Sequence, residues 1–219
     1  MINAVIFDLD GTLIDTERFT LKSKMEAPKD LGYEGLSYEN ALKTFGLSIK
    51  ESNELLRGLM GEDYPVEYIR QKRFDYVKEE VEKNGLCLKK GVNEIIKFCK
   101  ENNIKIFIAT ASSNKYLDLY LKNGNLLQQF DDVITGSMVE RGKPFPDIFL
   151  KAVENYNFLP CNCIVVEDAN NGLRGALAGN FRAVYIKDIC PLDEELRNFV
   201  TELDSLLDLP NYIKNVNKE

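Results

Sequence analysis

Residues Val5–Glu17 read VIFDLDGTLIDTE. An apolar run stops at two aspartates, Asp8 and Asp10, separated only by Leu9 and followed by Gly11 and Thr12. Side chains alternate along an extended chain, so Asp8 and Asp10 are expected on the same side. Two carboxylates at contact repel by several kcal/mol even at an effective dielectric of about 20. Such a pair therefore needs positive charge beside it, from the protein or from a bound cation. The apolar run itself reads as a strand buried on both faces, the pattern of a parallel sheet. Ligands of open parallel sheets bind beyond the carboxyl ends of their strands, which is where this pair lies.

Strand-like runs recur along the chain. The first spans Ala4–Asp10, and the others are Ile104–Thr110, Asp131–Thr135, Cys163–Ala169 and Arg182–Ile186. Amphipathic segments intervene: Val92, Ile95, Ile96 and Cys99 mark one helical face, and Phe149, Ala152, Val153 and Tyr156 mark another. Apolar strands alternating with helices predict an α/β fold, a Rossmann-like parallel sheet with helices on both faces. The interval 16–85 has no convincing strand. Ser48 followed three residues later by Glu51 is a capping-box signature, and Leu55, Leu56, Leu59 and Met60 form a stripe behind it. Val66, Ile69, Phe74, Val77 and Val81 continue a helical period until Asn84-Gly85 stops it. The expected organisation is a core of residues 1–15 and 86–219, with a helical cap domain of residues 16–85 inserted after the first strand. A unit inserted there is placed to act as a lid.

The strand ends collect the chemistry. Strand one ends in Asp8 and Asp10, and strand two in Thr110, Ala111, Ser112 and Ser113. Lys143 follows strand three, and Glu167 and Asp168 end strand four. Each residue alone has an ordinary structural reading as a turn former, a helix cap or a solvated lysine. Their convergence on one edge points instead to a site. Four acids in a small volume call for a hard divalent cation, and Mg2+ favours a few carboxylates together with phosphate and water. Lys143 and the Thr110 hydroxyl suit phosphoryl oxygens.

Composition narrows the classes. The 219 residues carry a net charge of -7, which argues against a nucleic-acid partner. No stretch has the apolar length to span a bilayer, and the N-terminus enters a strand without a leader-like pattern. Five cysteines, an odd number without metal-ligand rhythm, read as free thiols of a cytoplasmic protein, expected to be a monomer. Histidine is absent, which removes Ser-His and Cys-His nucleophile pairs and leaves acid–base work mainly to carboxylates.

With these residues in view, the chain resembles the haloacid dehalogenase-like hydrolases. DLDGTLIDTE resembles their first motif, TAS (Thr110–Ser112) the second, Lys143 in GKPFPD the third and VVEDA (Val165–Ala169) the fourth. The order and the inserted cap resemble the subgroup of phosphoglycolate phosphatase, sugar-phosphate phosphatases and β-phosphoglucomutase. The resemblance implies a Mg2+-dependent phosphatase that acts on a small phosphorylated metabolite. Asp8 would be the nucleophile that forms an aspartyl-phosphate, and Asp10 the general acid and then base. Mg2+ would be held by Asp8, the backbone carbonyl of Asp10, and Asp168, with Glu167 acting directly or through water. Thr110, Ala111 and Lys143 would bind the phosphoryl group. Specificity is expected in the cap, at Thr20, Ser48 and Lys50, around Arg18 and Phe19. Thr20 and Ile49 stand where the mutase would carry a histidine and an arginine, which favours hydrolysis over a phosphosugar mutase. A dehalogenase proper lacks the second aspartate. A signalling receiver, the non-catalytic phosphoacceptor alternative, places its acceptor on the third strand.

Overall fold

The computed structural model describes residues 1–47 and 49–218. Strand β1 (Ala4–Phe7) is buried at every position. It lies between β2 (Lys105–Thr110) and β4 (Cys163–Glu167) in a six-stranded sheet completed by β3 (Asp132–Thr135), β5 (Arg182–Ile186) and β6 (Thr201–Leu203). The order is β3-β2-β1-β4-β5-β6, and every pairing is parallel.

The uninterrupted apolar character of β1 follows from this central place. Val5 and Phe7 join a cluster with α5 (Val92–Glu101), α6 (Asn114–Asn123) and α9 (Leu209–Val216). Ala4 and Ile6 face the opposite layer, where α7 (Asp147–Val153) and α8 (Asn170–Ala178) supply Phe149, Ala152, Leu173 and Ala176. A strand covered by helices on both faces has no solvent side, so it needs no polar alternation. The edge strand β6 escaped the sequence reading because three half-exposed residues, Thr201-Glu202-Leu203, carry too little pattern.

Between β1 and α5 the described chain is helical: α1 (Glu17–Glu26), α2 (Tyr38–Leu42), α3 (Ile49–Met60) and α4 (Val66–Asn84). These helices enclose a small core of Leu36, Ala41, Leu56, Tyr64, Val66 and Ile69. In the expected α3 stripe Leu56 is buried, whereas Leu59 is exposed. Helix α1 gave no apolar period because its buried residues are Thr20, Ser23 and Lys24. Two short chain crossings lead into and out of this unit. Asp15 N donates to Cys87 O at 2.9 Å and Lys89 N to Leu13 O at 2.9 Å, an antiparallel bridge that ties the entering and leaving segments together beside the acids. No helix among the described residues is long and apolar enough to cross a membrane.

Candidate active site

The parallel register assembles the site. Phe7 pairs with Ile108 of β2 and Val166 of β4, so Asp8 emerges beside Glu167, Asp168 and the Thr110 end of β2. Lys143, on the segment before α7, reaches between them. Its Nζ donates to Asp8 Oδ1 at 2.5 Å, to Glu167 Oε1 at 2.6 Å and to the Ala109 carbonyl at 3.0 Å. The lysine is only 3% exposed, so its charge is compensated by these partners rather than by water. Burial opposes the ammonium, yet the Asp8 and Glu167 carboxylates outweigh it and hold the Lys143 pKa above the usual lysine value. Burial pushes Asp8 up to about 8, against the pull of Lys143. Asp168 is raised well above the usual carboxylate range, first by burial and then by Glu167 and Asp8. It accepts from Thr12 Oγ1 at 3.0 Å.

These groups fit a divalent cation. Asp8, Glu167 and Asp168 are buried, and one carboxylate oxygen from each lies within 4.8 Å of the others. With all three carboxylates ionised, as a bound cation would keep them, three negative charges against one ammonium leave two, which a divalent ion balances; an all-oxygen donor set of this kind suits Mg2+ better than softer metals. Two glycines allow the acids to sit so close. Gly11 has φ +85°, and a Cβ there would collide with the Asp168 carboxylate. A Cβ at Gly172, on α8, would collide with that of Glu167.

Asp10 has different neighbours, and its side chain is not part of the acid trio. Its carboxylate accepts from Thr16 Oγ1 at 2.5 Å, from Ser112 Oγ and from Tyr120 OH at 3.2 Å. It also pairs with Arg73 of α4 at 3.3 Å. The two aspartates of the opening motif thus share one cavity but belong to separate networks. One is tied to Lys143 and the other acids, and the second to hydroxyls and a cap arginine.

That cavity, about 140 Å3, lies between the sheet edge and the helical unit. Its wall contains Asp8, Asp10, Thr110, Ala111, Lys143, Glu167, Asp168 and Thr20, so eight of the ten site residues expected from sequence converge. Thr110 Oγ1 accepts from Ser112 N at 3.0 Å, shaping the loop after β2. Ser48 lies outside the described residues. Lys50 is exposed and absent from the wall; the α3 residues that reach the cavity are Ile49, Ser52, Asn53 and Leu56. Those positions repeat at helical spacing, and Lys50 is turned about 100° from Ile49, outward. Arg18 is likewise exposed, paired with Glu80 and Asp15.

Sequence reasoning missed Glu17, Lys24, Arg70 and Arg73 in the wall, and Tyr120 on Asp10. A signal was present. Arg73 stands four residues after Ile69 and four before Val77, a charge in the buried stripe of α4. On α1, Thr20, Ser23 and Lys24 repeat at helical spacing with polar chemistry. A polar face where a core face is due marks a helix that lines a cavity.

The parallel sheet with an acid-rich edge under an inserted helical unit defines a capped α/β fold with a candidate catalytic site, and comparison specifies the family. The model for haloacid dehalogenase-like hydrolase matches residues 5–186. Phosphorylated carbohydrates phosphatase of Thermotoga maritima is 28% identical over 84% of this chain and 84% of its own. Hexitol phosphatase B of Escherichia coli is 28% identical over 84% of this chain and 83% of its own. The crystal structure of CbbY from Rhodobacter sphaeroides in complex with phosphate superposes with TM-score 0.78 at 26% identity, covering 95% of this chain and 96% of that one. The chain belongs to the haloacid dehalogenase-like hydrolases. Within that family the curated relatives named above are phosphatases.

Proposed function

We propose that the chain is a Mg2+-dependent phosphatase of small phosphorylated metabolites, of the sugar-phosphate kind, working through a phosphorylated Asp8. The observation that carries this reading is the division of the two aspartates: Asp8 bound by Lys143 beside Glu167 and Asp168, and Asp10 held apart on hydroxyls and Arg73. Relatives named for phosphorylated carbohydrates and hexitols support the substrate class.

Asp8 attacks phosphorus, forming an oxygen–phosphorus bond as the bond to the leaving oxygen breaks. Asp10 gives that oxygen a proton. Water then attacks the phosphorus of the aspartyl-phosphate, Asp10 takes its proton, and inorganic phosphate leaves with Asp8 restored. Lys143 and the loop of Thr110 and Ala111 hold the phosphoryl oxygens and orient them for in-line displacement. Asp8, Glu167, Asp168 and the Asp10 carbonyl would hold Mg2+, which would supply positive charge to offset that of the transferring phosphoryl group. The helical unit of residues 16–85 serves as the cap that excludes water and contacts the leaving group. The reading includes a cytoplasmic setting, with which five free thiols agree, and a monomeric enzyme.

The test is phosphate release from a panel of phosphomonoesters, with Mg2+ and with chelator, for wild type and Asp8→Asn. Turnover that needs both the metal and Asp8 is expected. Absence of release from every member by the wild-type protein refutes the reading.

A further inference from the structure

The cap half of the cavity holds charges that the proposed chemistry does not use. Helix α1 contributes Glu17, Thr20 and Lys24, which share one face at helical spacing, and α4 contributes Arg73. Thr20 and Lys24 are 5% and 8% exposed. Lys24 Nζ donates to Thr44 Oγ1 and lies 5.0 Å above the Phe45 ring. Arg73 spans from Asp10 to the Tyr116 ring. Three atoms in this group, Glu17 Oε2, Thr20 Oγ1 and Arg73 Nε, are sealed from solvent and have no hydrogen-bond partner among the described residues.

The chemistry of those three atoms is specific. A carboxylate oxygen accepts, an arginine Nε donates, and a threonine hydroxyl does both. A partner that satisfies all three must donate as well as accept, and a hydroxyl does. A carboxylate or second phosphate on the substrate only accepts, leaves Glu17 unsatisfied, and brings like charge toward it. Positive charge is not in large excess in this half: Glu17 and Asp10 match Lys24 and Arg73, and Arg70 pairs at 3.5 Å with Glu67, a carboxylate it shares with Arg57, and donates to Asn53 at 3.5 Å. Leu56, Val66 and Ile69 complete the wall with an apolar surface suited to the C–H face of a carbon chain.

We infer that the cap half reads hydroxyl groups, with Glu17 as the acceptor, so that the preferred leaving group is a neutral polyol or sugar rather than an acid or a second phosphate. This rests on the phosphatase reading above. Burial raises the Glu17 pKa against the pull of Arg73, Lys24 and the nearby Thr20 hydroxyl, and burial lowers that of Lys24 against the pull of Glu17.

The test compares kcat/KM for a hexitol 6-phosphate, 2-phosphoglycolate and 3-phosphoglycerate, with p-nitrophenyl phosphate as a reference that lacks hydroxyls. Wild type is expected to prefer the hexitol phosphate to either acid by about tenfold or more. A site built to hydrogen-bond a hydroxyl discriminates strongly on that contact. Glu17→Gln, and independently Thr20→Val, should each lower the ratio of hexitol phosphate to reference by about tenfold. Preference for the acids, or a ratio unmoved in both variants, overturns the inference while leaving the hydrolase intact. Failure to turn over any compound, the reference included, removes the hydrolase reading and this inference with it.

Discussion

Replacing Lys143 with methionine removes one buried cation and strands two buried carboxylates. Its Nζ sits 2.5 Å from Asp8 and 2.6 Å from Glu167, with Asp168 close by and almost no access to water. Deleting one partner of a buried ion pair costs about 3–5 kcal/mol, because the charge left behind is uncompensated. For a chain of this size each kcal/mol lowers Tm by about 2–4 °C, so metal-free Lys143→Met should melt roughly 6–20 °C below wild type at pH 7.5. The measurement is thermal unfolding followed by circular dichroism, in chelator, at pH 7.5 and pH 5. With Lys143 beside it Asp8 already has a pKa of about 8, so Asp8 carries a proton at pH 7.5 as well as at pH 5, and the uncompensated charge falls on the neighbouring carboxylates at both. Mg2+ should restore part of the loss at pH 7.5 by replacing the missing positive charge. A variant that melts within 2 °C of wild type in chelator at pH 7.5 would refute the claim that Lys143 is the cluster's internal counter-charge.

Other expectations can be checked in parallel. Asp8 has a folded pKa of about 8 against a usual value of 3.8, so its contribution to stability is fully present below about 3.8 and is lost as pH rises through 8. Between pH 5 and 6.5, metal-free wild type should therefore lose about 2 kcal/mol that Asp8→Asn does not, measured by urea unfolding at each pH. Gly172→Ala should lower kcat by an order of magnitude or more, because its Cβ collides with the Glu167 carboxylate; unchanged turnover and Tm would show that Glu167 has room to move. Cys99, Cys163 and Cys190 are buried, with burial raising their thiols to about 12, 11 and 11. A thiol reagent at pH 8 should accordingly label Cys87 and Cys161 in the native state and the other three only after unfolding.

What could be read directly from sequence is whatever depends on order along the chain. The apolar runs and helical periods gave the parallel α/β layers, because a strand covered on both faces shows its burial in every residue. Asp8, Thr110, Lys143, Glu167 and Asp168 were also legible, since parallel strands deliver their carboxyl ends to one edge whatever their separation in the chain. The edge strand β6 and helix α1 were not. The first is too short to carry a period, and the second buries polar residues, which an apolar pattern does not register.

VIFDLDGTLIDTE by itself determined that two acids end a buried strand, and so where the chemistry would lie. It could not determine that they part company. That decision belongs to tertiary structure: Lys143, 135 positions away, claims Asp8, while Ser112, Tyr120 and Arg73 claim Asp10. The same holds for the cap. Glu17, Lys24 and Arg73 look like ordinary helix-surface charges in the sequence, and only the packing of α1 against α4 over the sheet edge seals them into one cavity. Charges act on one another through space, and the distances that set their energies exist only after the chain has folded.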